Sequence, residues 1–269
     1  MRLGDLFDLD ARSGDRFVGS GWPYPWGGLY GGHIVAQALR AAASTVEIER
    51  ACHSLRASFI RRGDPTVPVE YAVDRTRDGR SFTTRRVVAS QRDEVILTLE
   101  SSFHLAESSV HVALPACTDG LPAPDDLADG SWTPFIHRRT VTQSLLDQHR
   151  RGGIGRIGAW MRTAETFDGD GALNQCALAY MSDDLPTESV IHSIPELGRA
   201  AEEGRLINAS LDHAVWFHRP VRAHDWHWHE MSAMTYSGSR GLTLGYVFDG
   251  SGAHVATISQ ETLVRVKTR

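Results

Sequence analysis

The chain has 269 residues, of which 41% are hydrophobic and 23% are charged, and its formal net charge is −5. This length and composition are typical of one large domain or two ordinary domains with an ample core. The negative balance offers no basic footprint for nucleic acid, and no run of about eighteen apolar residues could span a bilayer, so we expect neither as a partner.

The first half of the chain predicts one helix followed by strands. Apolar residues recur over 33–43 at i, i+1, i+4, i+7 and i+8, which is one face of a helix. Small side chains on that face would let a sheet wrap closely around it. Asp78-Gly79 is a hairpin signal, and a polar turn is expected over 91–94. The strands predicted on either side of these turns are at about 67–73, 82–89 and 95–103.

The middle of the chain reads as a linker. Four prolines and two acidic turn signals oppose a long regular element over 106–135. A short helix is expected after it, near Val141–His149.

The second half repeats the order of the first. A helical stripe runs through Leu173, Cys176, Ala177 and Tyr180. A turn signal at Asp249-Gly250 precedes the last strand. The strands predicted here are at about 208–219, 226–236, 242–248 and 255–266.

Residues 210–220 echo residues 53–63, so the two halves are similar in sequence as well as in order. Fixed-order self-similarity indicates two copies of one supersecondary unit. One helix followed by antiparallel strands, twice over, predicts an α+β fold with each sheet wrapped on its own helix.

Alignment of the two copies places a carboxyl and an amide side chain in the second copy where the first copy has serine. Asp183 falls opposite Ser44, and Gln260 falls opposite Ser101. A duplicated fold often divides its labour, so we expect the second copy to carry the chemistry.

Gln260 stands on an apolar face of the last predicted strand. It shares its parity with Ala256, Ile258, Val264 and Val266. An amide on a core-facing row must find hydrogen-bond partners, because leaving it unsatisfied costs about 1–3 kcal/mol. The amide either satisfies neighbouring backbone or lines an internal site.

Asp183 extends the apolar stripe of the second helix. Desolvation and the negative end of the helix dipole would both raise the pKa of a carboxyl there, which suits a general base. The alternative is a helix end that turns to solvent at Asp183-Asp184. Asp184 occupies nearly the same face, so the spacing alone does not choose between the two.

Ser210 and the pair Asp212-His213 begin the next predicted segment. The face of Ser210 is ambiguous, because apolar residues occur on both faces of 210–217. Adjacent strand residues point to opposite faces, so Asp212 and His213 cannot easily act on one atom. We interpret that pair as structural.

These residues together resemble the type II acyl-CoA thioesterases. The resemblance spans nearly the whole chain and is weakest over 106–155. In the first half it is carried by Gly31-Gly32-His33-Ile34-Val35-Ala36-Gln37-Ala38-Leu39, His53-Ser54, Phe59-Ile60-Arg61-Arg62-Gly63-Asp64 and Arg77-Asp78-Gly79-Arg80-Ser81-Phe82. In the second half it is carried by Asp212-His213, Trp216-Phe217-His218-Arg219-Pro220, Ser239-Arg240-Gly241 and Gln260-Glu261.

The resemblance implies a double hotdog, that is, two hotdog units fused in one polypeptide. We expect an N-terminal unit over 1–105, a linker over 106–135, and a C-terminal unit with the active site over 136–269. Exposed sheet edges and the habits of the family favour a homo-oligomer, either a dimer or a tetramer.

The resemblance also implies acyl-CoA hydrolysis without a metal, a cofactor or a covalent intermediate. The family's aspartate, hydroxyl residue and glutamine carry over onto Asp183, Ser210 and Gln260. The hydroxyl residue is usually threonine, so Ser210 departs from the pattern but keeps the hydrogen-bonding group. In the resulting hypothesis Asp183 takes a proton from a water that Ser210 and Gln260 orient. Backbone amides would stabilise the oxyanion, at positions that the sequence does not locate.

Other motifs favour other chemistry less well. Gly153–Gly158 matches the dinucleotide fingerprint G-x-G-x-x-G but leads into a predicted strand, whereas that fingerprint needs a helix. His227 and His229 share a strand face and could bind a metal, but interleaved tryptophans favour an arrangement with tryptophans inward and histidines toward solvent. No Gly-x-Ser-x-Gly elbow is present.

Two alternative functions stay open at this point. A hotdog enoyl-CoA hydratase or dehydratase would need His213 and an acid to converge on one pocket. A non-catalytic acyl- or CoA-binding module would bind the ligand and release no thiol.

Cysteine usage and the termini indicate the compartment. Cys52, Cys117 and Cys176 are odd in number and far apart, so neither a disulfide framework nor a zinc site is expected. The N-terminus lacks the apolar core of a secretory signal, and the C-terminus is not a peroxisomal Ser-Lys-Leu tail. The expected location is the cytoplasm.

Overall fold

The computed structural model describes the whole chain apart from residues 117, 119, 142–145, 147–152 and 268–269. Most of the helix expected near Val141–His149 therefore lies outside the described residues. In the part of the chain that is described, no helix is long and apolar enough to cross a bilayer.

The first half forms two helices and six strands. These are α1 (Leu3–Phe7), β1 (Asp10–Arg12), β2 (Arg16–Gly19), α2 (Gly31–Ala43), β3 (Arg50–Phe59), β4 (Val69–Asp78), β5 (Phe82–Gln91) and β6 (Glu94–Leu105). The described residues between 106 and 135 hold only a 3₁₀ turn at Pro124–Asp126, as the prolines there predicted.

The described residues of the second half form three helices and seven strands. These are β7 (Ile136–Thr140), β8 (Gly155–Thr163), α3 (Gly171–Ser182), α4 (Pro186–Ser193), α5 (Pro195–Glu202), β9 (Leu206–Ser210), β10 (Asp212–Phe217), β11 (His227–Ser237), β12 (Arg240–Phe248) and β13 (His254–Val266). The G-x-G-x-x-G stretch leads into strand β8, as its flanks predicted.

All thirteen strands among the described residues belong to one antiparallel sheet rather than to two separate sheets. β3 of the first half pairs with β10 of the second, with Leu55 opposite Val215. The strand order is β1-β2-β4-β5-β6-β3-β10-β13-β12-β11-β8-β7, and β9 pairs with β13 beside this path. Joining the two halves through β3 and β10 pairs two edges that would otherwise be exposed.

The two long helices lie side by side against this sheet. α2 packs on α3 and on β3, β4, β5 and β6, and α3 contacts β3 and β10. The small face predicted for the first helix is buried, with Ala38, Ala41 and Ala42 all fully inaccessible. Small side chains let the helix, its neighbour and the sheet approach closely. This packing brings the start of α2 to the end of α3.

The turn between β5 and β6 offers a test of backbone strain. Arg92 and Asp93 both have positive φ, at 49° and 64°, and both are exposed. A side chain in this left-handed region costs roughly 1 kcal/mol, and glycine does not incur that cost. We therefore expect Asp93→Gly to raise the free energy of unfolding by about 1 kcal/mol in urea titrations. Asp93→Ala is the matched control and should not stabilise, because alanine tolerates this conformation less well than aspartate does. A stabilising alanine would contradict the strain argument.

The expectation that His227 and His229 face solvent is wrong. Both are buried, at 2% and 0% exposure, and they share a strand face with Met231 in the main core. Trp228 on the other face is buried as well, because linker residues cover it together with the side chains of its neighbouring strands. Strand β11 is therefore covered on both faces, which a simple alternation of inside and outside did not anticipate.

Candidate active site

Asp183 ends helix α3 and is only 7% exposed. The helix brings it there because the buried stripe of Cys176 and Tyr180 continues one turn further. The last carbonyls of a helix present partial negative charge, so a buried carboxyl at this end needs donors from elsewhere.

Three groups from distant parts of the chain meet around this carboxyl. The Ser210 hydroxyl donates to Asp183 Oδ1 at 3.0 Å, and the backbone N–H of Gly32 donates to Oδ2 at 2.9 Å. Gln260 Nε2 donates to Ser210 Oγ at 2.9 Å. The three residues that the sequence singled out are therefore joined by hydrogen bonds, together with one backbone group that it did not indicate.

Burial raises the pKa of Asp183 from 3.8 to about 6. Hydrogen bonds from Ser210, Gln260 and Gly32 oppose this by stabilising the carboxylate. The Gly32 donor comes from the first turn of α2, whose positive dipole end faces the carboxyl. A carboxyl with a pKa near 6 is ionised at neutral pH and still basic enough to accept a proton.

Asp184, the rival on the same helix face, is committed to other partners. It accepts a hydrogen bond from Trp132 Nε1 at 2.8 Å and lies 3.2 Å from Arg138 Nε. Burial raises its pKa to about 6, while the Arg138 guanidinium lowers it. The two adjacent carboxyls therefore diverge: one is held by Ser210 and α2, and the other is anchored to Trp132 and Arg138.

Glycines at the start of α2 permit this arrangement. A Cβ on Gly31 would lie 2.5 Å from Asp183 Oδ2 and 2.9 Å from the Phe59 ring. A Cβ on Gly32 would lie 2.3 Å from the Tyr180 carbonyl oxygen. Because real Cβ contacts are not this short, only glycine lets the helix terminus approach the carboxyl so closely.

We expect Gly31→Ala to lower kcat of the reaction proposed below by about 10²-fold, because the added methyl group must displace the carboxyl. Gly171→Ala is the matched control: Gly171 is also the first residue of its helix, α3, and a Cβ there meets nothing within 4 Å. Steady-state kinetics of both variants test the contact. Equal rates in the two variants would show that the close approach at Gly31 has no catalytic consequence.

A groove of about 920 Å³ opens onto this constellation. Asp183 and Ser210 line it, whereas Gln260 is fully buried and reaches Ser210 from behind. One wall is aromatic and apolar, and it includes Trp26, Leu29, Tyr30, Phe59 and Trp132. The rim carries the exposed basic residues Arg61, Arg62 and Lys267. This size is ample for a drug-sized ligand.

His213 lies directly behind the site, next to Gln260, which the sequence did not indicate. Asp212 and His213 do lie on opposite faces, as predicted: Asp212 is exposed and accepts the backbone N–H of Glu261, and His213 is fully buried. Its imidazole contacts Gln260 and Ser182. It is absent from the groove lining, so it is not placed for the acid–base role that a hydratase would require. A signal was present in the sequence, since alignment of Ser58–Arg61 with Trp216–Arg219 puts an apolar Leu55 at the position of His213.

Comparison with protein families covers nearly the whole chain. A family model described as acyl-CoA thioesterase N-terminal domain matches residues 20–104, and one described as acyl-CoA thioesterase C-terminal domain matches residues 115–264. Acyl-coenzyme A thioesterase 8 of Homo sapiens is 30% identical over 302 residues, covering 97% of this chain and 88% of that protein.

Solved structures show the same similarity. The acyl-CoA thioesterase II TesB2 from Mycobacterium marinum is 35% identical, with a TM-score of 0.86 over 99% of each chain. A protein of unknown function with a hot dog fold from Alicyclobacillus acidocaldarius has a TM-score of 0.80 at 20% identity, over 99% of this chain and 98% of that one. At that identity the likeness concerns the fold alone, and it shows that this chain has a hotdog fold.

Proposed function

Since this chain belongs to the type II acyl-CoA thioesterase family and is a thioester hydrolase, we propose that it hydrolyses acyl-CoA through a water molecule held and activated by Asp183, Ser210 and Gln260. The observation that carries the proposal is the buried carboxyl of Asp183, which faces the groove while Ser210 donates to it and Gln260 donates to Ser210.

The reaction follows from these contacts. Asp183 takes a proton from the water, and the oxygen attacks the thioester carbonyl to form a tetrahedral oxyanion. The oxyanion collapses, the carbon–sulfur bond breaks, and the proton passes from Asp183 to the departing CoA thiolate. A thiol with an ordinary pKa of about 8.5 is a good leaving group, so one base and accurate positioning suffice.

Each side chain has its own part in holding the water. Ser210 lines the groove beside Asp183 and can accept a hydrogen bond from the water while it donates to the carboxylate. An amide NH₂ group carries two hydrogens, so Gln260 can donate one to Ser210 and the other to the carboxyl, and in this way it orients both groups toward the water.

The oxyanion would be stabilised by the first turn of α2. The first N–H groups of a helix have no intrahelical partner and carry the positive end of its dipole. Gly31 lines the groove next to Asp183, which supports the assignment of its N–H to this role. Such a backbone donor is the usual means of stabilising an acyl-transfer intermediate.

The architecture that we propose is a double hotdog, with units over 1–105 and 136–269 joined by a linker over 106–135. Support comes from the two helices, each followed by antiparallel strands of the shared sheet. Only the second unit would supply Asp183, Ser210 and Gln260, while the first contributes the N-terminus of α2. The site therefore lies between the two copies.

The groove suggests how the substrate is divided between its walls. The aromatic and apolar wall around Tyr30, Phe59 and Trp132 suits an acyl chain. The basic rim of Arg61, Arg62 and Lys267 suits the phosphates of CoA by charge complementarity.

We also propose that the protein is cytoplasmic and forms a homo-oligomer. Cys52 and Cys176 are buried free thiols, which fits a reducing compartment. Strands β1 and β7 end the sheet, and such edges are places where further copies of the chain could associate.

A thiol-release assay over a panel of acyl-CoA esters tests the function directly. We expect stoichiometric free thiol and free acid from at least one ester, and a lower rate from Ser210→Ala. Consumption of enoyl-CoA without thiol release would favour a hydratase instead. Binding of acyl-CoA without turnover would favour a non-catalytic module.

The pH dependence of kcat/KM tests the base. Because the pKa of Asp183 is raised to about 6, its reactive carboxylate is lost as the pH falls through 6, so kcat/KM should decline with a slope of one below that value. Ser210→Ala should move the decline to higher pH, because it removes a hydrogen bond that stabilises the carboxylate. A profile that stays level down to pH 4.5 would rule out Asp183 as the base.

A further inference from the structure

Gln260 must be held in one of two rotations for the proposed site to work. The oxygen and nitrogen ends of an amide have nearly the same shape, but only the NH₂ end can donate to Ser210. The flipped amide would turn its oxygen toward Ser210 and the Asp183 carboxylate, which are acceptors. Some group on the far side of Gln260 therefore has to select the productive rotation.

His213 is the group on that side. Its Nδ1 lies 2.5 Å from Gln260 Oε1, and its Nε2 lies 2.7 Å from Ser182 Oγ. His213, Gln260 and Ser182 are all fully buried, so water does not compete for these contacts. The five side chains Ser182, His213, Gln260, Ser210 and Asp183 thus form one connected row that ends at the carboxyl.

An ionised Asp183 requires one particular direction for every hydrogen bond in this row. An ionised Asp183 only accepts, so Ser210 donates to it and receives a hydrogen from Gln260. The amide oxygen then faces His213 and needs an N–H at Nδ1. Burial lowers the pKa of His213 to about 4, so the ring is neutral and carries one N–H. With that N–H at Nδ1, the bare Nε2 accepts from Ser182.

A second arrangement would break the row. Ser182 Oγ also lies 2.9 Å from the Ala179 carbonyl oxygen. If Ser182 donated there, His213 would carry its hydrogen at Nε2, and the bare Nδ1 would draw the NH₂ end of Gln260 away from Ser210. The tautomer of His213 and the rotation of Gln260 are therefore coupled.

The first copy of the repeat supplies an internal control. The alignment that pairs Ser44 with Asp183 puts Ala43 at Ser182, and the alignment of Ser58–Arg61 with Trp216–Arg219 puts Leu55 at His213. The strand register agrees with it: Leu55 lies opposite Ser101, and the pairing of Ala214 with Ser259 places His213 opposite Gln260 one step further along. The copy that lacks the glutamine also lacks the histidine and the serine. In the first copy the apolar Ala43 and Leu55 occupy these two positions of the fold, so packing alone does not require a buried histidine here.

We propose that His213, oriented by Ser182, is a positioning residue that fixes the rotation of the Gln260 amide so that its NH₂ end faces Ser210 and Asp183. The inference rests on the proposed function, since it assigns a purpose to a contact behind that site. His213 itself touches neither the groove nor the substrate.

Two substitutions of similar polarity separate this role from a structural one. The amide nitrogen of asparagine replaces Nδ1 of histidine, whereas that of glutamine replaces Nε2. His213→Asn keeps the donor to Gln260, and His213→Gln moves it away. We expect kcat of His213→Asn to stay within about threefold of the wild type and kcat of His213→Gln to fall at least about tenfold. KM should change less than about twofold in both variants, because only the orientation of the Gln260 amide is altered and the groove is not.

His213→Asn and His213→Gln are also measured in a Gln260→Ala background, which completes a double-mutant cycle. There the difference between His213→Asn and His213→Gln should vanish, since the amide that they orient is gone. Equal kcat values with Gln260 present, or the same ratio with Gln260 absent, would overturn the inference. An unchanged kcat in Gln260→Ala alone would instead refute the part of Gln260 in the proposed function.

Ser182→Ala provides a second line that leaves the imidazole in place. It should lower kcat with Gln260 present and have no effect in Gln260→Ala, and thermal unfolding of each variant verifies the fold. If both His213 variants fail to fold, the comparison of Ser182→Ala with and without Gln260→Ala tests the proposal. The imidazole signal of His213 in the ¹⁵N NMR spectrum of the wild type is identified as the one that His213→Asn removes. That signal should report the Nδ1–H tautomer, and the Nε2–H tautomer would contradict the proposal.

Discussion

Replacement of Asp183 by asparagine is expected to lower kcat for acyl-CoA hydrolysis about 10³-fold, the midpoint of what a general base contributes. The amide has nearly the same shape and can still accept the Gly32 N–H at its oxygen. It cannot take a proton from water at neutral pH. KM should change little, because the groove walls that would hold the substrate are untouched. Steady-state thiol release with a saturating ester measures the effect.

Asp170→Asn is the matched control for this substitution. Asp170 caps the opposite end of the same helix and accepts the Leu173 N–H at 2.8 Å, and asparagine caps helices equally well. Its kcat should equal that of the wild type. A larger loss in Asp184→Asn than in Asp183→Asn would mean that the base had been assigned to the wrong member of the adjacent pair.

The same Asp183→Asn variant is expected to be more stable than the wild type at pH 7 by about 2 kcal/mol. A pKa raised from 3.8 to about 6 means that ionisation of the folded protein costs about 3 kcal/mol more than ionisation of the unfolded chain. Loss of a hydrogen bond to the carboxylate offsets about 1 kcal/mol of that gain. Urea unfolding of both proteins measures the difference.

The dependence of this gain on pH identifies its origin. Between pH 3.8 and about 6 the folded state binds more protons at Asp183 than the unfolded state does, so wild-type stability falls as the pH rises through this window. Asparagine does not titrate, and the advantage of the variant should disappear below pH 4. A gap equally wide at pH 4 and pH 7 would point to packing rather than charge. Stability given up at a buried carboxyl is the expected counterpart of its function.

The local pattern of the chain predicted most of the helices and strands and the burial of two of the three side chains in the site. Alternation predicted that Gln260 shares the buried face of Ala256 and Ile258, and it is fully buried. Helical periodicity placed Asp183 on the apolar stripe of α3, and it is nearly buried. Both predictions depend only on which face of an element a side chain occupies, and that is a property of short-range spacing.

The pattern did not anticipate the burial of both faces of β11. Alternation reports one covered face, whereas the cover on the other comes from linker residues far away in sequence. The local pattern also did not predict that the two halves join into one sheet, because the pairing of β3 with β10 connects strands that are far apart in sequence.

What the sequence determined by itself is the repeated order of elements, the family resemblance and the buried polar groups of the second copy. What only the tertiary structure decided is which of two adjacent aspartates receives Ser210 and the N–H of Gly32, and that His213 stands behind Gln260. The physical reason is that hydrogen bonds between residues separated by 27 to 151 positions depend on how α2, α3 and the sheet pack. That packing is a global minimum that no local window contains.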